Sequence, residues 1–131
     1  MSIAPNSASW RPLLPAGFRL LSGDDATALG FIAGGGDGSI SMIANVAPGL
    51  CRGIFACCRQ ENWQAARALH KRLAPLEALL SREGVPALKT ALSMLGLMQP
   101  DLRLPLVEPE AAVAREIASA VAAVTEQYPA A

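Results

Sequence analysis

The sequence predicts an α/β fold in which about two parallel strands are followed by a C-terminal helical bundle. Residues 18–22, FRLLS, form an apolar run of strand length that stops at Gly23-Asp24-Asp25, a turn and helix-cap signal. The next segment, ATALGFIAGG, has small and apolar residues at helical spacing and runs into Gly34, Gly35 and Gly36, which can supply the positive φ of a helix exit. Residues 38–43, GSISMI, are then rich in β-branched side chains. Strand, helix, strand makes one βαβ unit, with a parallel pair and a right-handed crossover.

Beyond Asn45 the pattern is helical, over roughly 47–60, 62–82, 85–96 and 110–125. Breakers separate these segments: Asn62 is a cap after Glu61, Gly84 and Pro86 mark the next boundary, and Gly96 to Pro109 is a connector containing prolines. Pro75 falls inside the second long helix, where it should kink the helix or break it near Arg72. Asn45 is expected to cap the helix that follows it. Residues 1–16 contain Pro5, Pro12 and Pro15 without apolar periodicity and are expected to be a loose leader. Residues 17–126 make the ordered part and 127–131 a tail.

Composition narrows the function classes. With 52% hydrophobic and 17% charged residues, disorder is excluded for the bulk of the chain. Lys plus Arg equals Asp plus Glu at 11 each, so no net field draws nucleic acid or an anionic membrane surface. No uninterrupted apolar run reaches spanning length, and the N-terminus lacks the pattern of a secretory signal, so a cytoplasmic location is expected. Cys51, Cys57 and Cys58 are an odd number in a helical segment without a companion cluster at metal-ligand spacing; they read as core thiols, with no metal and no cofactor expected. The glycine run 34–38 precedes a strand and lacks the Lys-Ser/Thr of a phosphate loop. His70 reads as an interhelical or surface polar contact rather than a general base, and Trp10 and Trp63 as side chains buried against helices. Two strands are a poor core and leave both outer edges unpaired, so the chain reads as a piece of a larger architecture.

The runs FRLLSGDDATAL, GGGDGSISMIANVAP and ENWQAARALHKRLAPLEALL, continued by LKTALSMLGLMQPDLRLPLVEP, resemble in order and spacing the last third of the dihydrodipicolinate synthase and N-acetylneuraminate lyase family of pyruvate-dependent class I aldolases. The resemblance implies a truncated C-terminal portion of a (β/α)8 TIM barrel, the seventh and eighth strands plus the closing helices; whole barrels take about 250 residues. It also implies a chemistry that starts with a Schiff base between pyruvate and a lysine on the sixth strand, with a tyrosine and a Thr-Thr pair on earlier strands relaying protons. None of those blocks is matched here: Lys71 and Lys89 lie in helical segments downstream, and Tyr128 lies in the tail.

What the resemblance carries over is the floor of the site. Gly23, Asp24 and Asp25 fall at the end of the seventh strand, where Gly23 permits close backbone approach and the acids could accept hydrogen bonds from a polyol or amino group; the competing role for an Asp there is to cap the next helix. Ile40 matches the position whose main-chain carbonyl approaches the Schiff-base lysine, with Ser41 after it; the competing role of Ile40 is a core strand residue. Asp37 stands where many synthases have His, and SREGVPALK replaces their usual Glu-Pro-Asn-Pro-like stretch, which leaves synthase, sialic-acid lyase and sugar-acid aldolase subgroups open. Three expectations compete: a chain without lyase activity alone; an interaction module or split subunit, homo-oligomeric or paired with a complementary partial barrel, that would take pyruvate only when completed; and a small enzyme in which Asp24, Asp25 and Asp37 converge.

Overall fold

The computed structural model describes residues 7–125. It begins with a short helix α1 (Ser7–Trp10) and a 3-10 turn over Arg11–Leu13, followed by strand β1 (Leu21–Ser22), helix α2 (Asp25–Ala33) and strand β2 (Gly38–Ser39). A 3-10 turn over Ile43–Asn45 leads to α3 (Pro48–Arg59), α4 (Trp63–Glu83), α5 (Val85–Met94) and α6 (Ala111–Thr125). The two strands pair in parallel, Leu21 opposite Gly38 and Ser22 opposite Ser39, and the Ile40 N–H extends the ladder to the Ser22 carbonyl at 2.8 Å. The α/β class, the parallel pair and the four downstream helices are therefore present as the pattern predicts.

The strands are shorter than the apolar runs that announced them. Among the described residues each strand has one neighbour, and beyond the paired residues only the Asp37 N–H to Leu20 O and Ile40 N–H to Ser22 O bonds, both at 2.8 Å, continue the ladder. Met42, assigned to the second strand by its neighbours' β-branching, is instead the N-cap residue of the 3-10 turn, with helical rather than extended backbone angles.

Within the segment expected as a loose leader, residues 7–13 are helical and tied to the body of the fold. Ser7 is buried and its hydroxyl donates to the Phe31 carbonyl at 2.6 Å. Arg11 donates to the carbonyls of Phe18 and Gly35, at 3.1 and 2.7 Å, and to Asp37 Oδ2 at 2.7 Å. These partners lie up to 26 residues away, which is why local periodicity does not reveal the ordering. The tail 127–131, with Tyr128, and the leader's first six residues lie outside the described residues.

The core is built by helices. Leu50 and Ile54 of α3, Leu73, Leu76 and Leu80 of α4, and Ile117 and Val121 of α6 form one buried cluster with Ile43. Asn62 caps α4 by accepting from Ala65 N at 3.2 Å, as predicted. Gly84 ends α4 at φ +67°, a left-handed conformation that suits glycine. Pro75 does not break α4, whose helical conformation continues through it to Glu83. Asn45 is not the cap of α3: Ala47 holds that position, Pro48 starts the helix, and the Asn45 amide donates back to Met42 O at 3.0 Å. Trp63 packs on the core, but Trp10 is exposed, contrary to its expected burial. Cys51 and Cys58 are buried free thiols and Cys57 is half-buried; burial, the largest influence on each, pushes the Cys51 and Cys58 thiols up, which keeps them protonated and unreactive.

Candidate functional site

Parallel pairing places the C-terminal ends of β1 and β2 side by side, so Gly23-Asp24 and Ile40-Ser41 emerge at one edge. That edge is where barrel folds carry their substrate-facing loops. The first loop is held by buried Ser22, whose hydroxyl donates to the Asp24 carbonyl at 3.1 Å and accepts from Asp24 N at 3.2 Å. Beside it opens a cleft of about 540 Å³ lined by Gly23, Asp24, Thr27, Gly30 and Phe31 among others.

Each acid in this region has a structural partner. Asp24 is the N-cap of α2: its Oδ2 accepts from Thr27 N at 3.2 Å and from the Thr27 hydroxyl at 2.6 Å. The capping role therefore holds for Asp24, while Gly23 leaves the mouth of the cleft open, with nothing near the place a side chain would occupy. Asp25 turns to the second loop and accepts from Met42 N and Ile43 N at 3.0 and 3.1 Å. Ser41 Oγ accepts from Ala44 N at 3.0 Å. Sequence reasoning missed the Asp25 contact because an acid in a helix's first turn looks the same whether it caps its own helix or reaches a loop 17 residues on.

Asp25 and Ser41 do not line the cleft. They line a cavity of about 30 Å³ together with Cys51 and His70, room for a water or two but not for an organic substrate. His70 Nε2 lies 3.4 Å from the Asp25 carbonyl, the interhelical contact expected of it. Ile40, expected in the core, is 72% exposed. Its neighbours on the ladder are one strand and open space, so a side chain that a further layer would cover is left outside.

Asp37 sits at the opposite end of the strands from Asp24 and Asp25. Its Oδ2 accepts from Leu20 N and from Arg11, both at 2.7 Å, and Arg19 lies 3.7 Å from Oδ1. The Leu20 N–H, then the Arg11 guanidinium, hold its carboxyl below the usual range. The three acids thus do not converge, which removes the small-enzyme expectation built on them. Among the described residues no group of three or more His, Cys, Asp or Glu is placed to hold a metal. No helix among them is long and apolar enough to cross a membrane.

A βαβ unit with its loops at one edge, backed by a helical bundle, is part of a TIM barrel. The model of the Dihydrodipicolinate synthetase family matches residues 9–124, and the chain belongs to this family. It is 52% identical over 91 residues to a 4-hydroxy-tetrahydrodipicolinate synthase of Rhizobium meliloti, covering 69% of this chain and 31% of that protein. Against the corresponding synthase of Hyphomonas neptunium it is 44% identical over 106 residues, covering 80% of this chain and 36% of the relative. The solved 4-hydroxy-tetrahydrodipicolinate synthase of Methylacidiphilum fumariolicum SolV superposes with a TM-score of 0.82 at 32% identity, covering 92% of this chain and 41% of the other. Dihydrodipicolinate synthase from Aquifex aeolicus gives 0.81 at 30% identity, with 95% and 43% covered. The chain therefore spans about a third of the length of the curated relatives it matches.

Proposed function

We propose that this chain is the C-terminal floor and helical buttress of a pyruvate-dependent lyase site of the 4-hydroxy-tetrahydrodipicolinate synthase type, without lyase activity on its own. One observation supports the reading: the ends of both strands and their loops are present, yet the two lysines lie on helices α4 and α5 and not on a strand. Lys89 is moreover engaged, its Nζ donating to the Asp101 carbonyl at 2.6 Å. A Schiff base needs an amine beside the bound carbonyl, and the family resemblance puts that amine on a barrel strand, where this chain has no lysine. The carried-over contacts are the Gly23 backbone and the Ile40 main chain; Asp24, Asp25 and Ser41 shape the loops that present them.

A second reading is favoured by the exposed apolar side chains on and flanking the two strands, Phe18, Leu21, Ile40 and Met42. They fit a split subunit whose open face is covered by a complementary partial barrel carrying the lysine strand, or by a second copy, in the cytoplasm. Incubation with pyruvate and borohydride followed by intact mass tests both. No adduct is expected on the chain alone, and an adduct on Lys71 or Lys89 would overturn the inactive reading. An adduct on the added partial barrel that requires this chain supports the split lyase; no adduct in either arm removes it.

A further inference from the structure

Beyond Ile40 the segment that follows β2 is not held by the sheet. After the Ile40 N–H bonds to Ser22 O, the ladder stops, and beyond Ser41 the N–H groups of Met42 and Ile43 lead into a 3-10 turn. Such donors have no acceptor within their own turn. Both are satisfied by one atom, Oδ2 of Asp25, at 3.0 and 3.1 Å. Asp25 is itself fixed on two sides: it is the first residue of α2, and its carbonyl lies 3.4 Å from Nε2 of His70 on α4, the longest helix. Ser41 Oγ closes the same turn through Ala44 N.

We propose that Asp25 is a positioning residue, whose carboxylate sets the conformation of the Ile40-Ser41-Met42 segment at the substrate-side edge of β2. The inference rests on the reading above that this edge forms the floor of a pyruvate site. Strand pairing holds Ile40 through its N–H, and the path of the Ser41-Met42 main chain after it then depends on the first turn of α2, transmitted by two charge-assisted hydrogen bonds. It also reassigns Asp25: with Oδ2 taken by two N–H groups, the residue acts through the loop rather than on a ligand.

Amide exchange followed by NMR on the chain itself tests this, with Asp25→Ala and Asp25→Asn. In Asp25→Ala the Met42 and Ile43 amides should exchange on the order of tenfold faster or more, because both lose a charged acceptor. Amides in the middle of α3, α4 and α6 should keep their protection. Asp25→Asn retains the shape and a neutral acceptor, so it should restore part of the protection. Unchanged exchange at Met42 and Ile43 in either variant, or an equal rise across all helices, would overturn the proposal. Should Asp25→Ala not fold, the graded and local effect in Asp25→Asn decides. Exchange does not depend on pyruvate, so a completed barrel that gives no adduct while the local exchange change persists would remove the pyruvate reading and leave the positioning role standing.

Discussion

Leu50 of α3 and Leu76 of α4 are 1% and 0% exposed, whereas Phe18 and Leu21 beside and on β1 are 52% and 46% exposed. Both regions are equally apolar in sequence, so the difference lies in what is available to cover them. The helical body supplies its own partners, α4 packing between α3 and α6. The strand edge has helix α2 on one side of its short ladder and, among the described residues, no further strand at either margin. A periodic apolar face therefore states that a residue is meant to be covered, and only the tertiary inventory states whether it is.

This contrast can be broken by substitution. Leu76→Ala is expected to destabilise the chain by about 2–5 kcal/mol, since it removes buried methylenes and leaves a cavity where α3, α4 and α6 meet; urea unfolding measures it, and a loss below about 1 kcal/mol would mean the helical body is loosely packed. A middle-sized effect belongs to the Arg11–Asp37 tie at the far end of the strands. Because the Leu20 N–H and Arg11 lower the Asp37 pKa in the folded chain, the stability it contributes is fully present above the ordinary value of 3.8 and is lost as pH falls through the lower folded value. Thermal midpoints of the natural chain and Asp37→Asn should accordingly differ near neutrality and converge in strong acid; parallel curves throughout would show the tie to be idle. The smallest effect is expected at the exposed edge, where Ile40→Ser should change stability by no more than about 0.5 kcal/mol on its own. A large loss there would mean that Ile40 is already covered by self-association in solution.

Much of this architecture is legible in the chain's own pattern. Asp24 before α2 and Asn62 before α4 are both found capping, because a cap acts within three residues of itself. Asn45 has the same chemistry and does not cap, since Pro48 and the intervening 3-10 turn place the start of α3 two residues later. Ordering of residues 7–13 escaped local reading because it depends on Ser7 and Arg11 reaching atoms 24 and 26 residues away. Ile40 shows the opposite failure: its strand propensity is real, but burial needed a neighbouring layer that the described residues do not contain.

The brevity of β1 and β2 has a colloidal consequence. A growing cross-β stack needs about six consecutive residues of free, hydrogen-bonding edge, and each strand here offers two. Gly34-Gly35-Gly36 follows α2 in a bend where a side chain at Gly36 would collide with the Phe31 ring, so this close approach requires glycine. The short ladder thus leaves the free chain little ordered edge from which a fibre could grow.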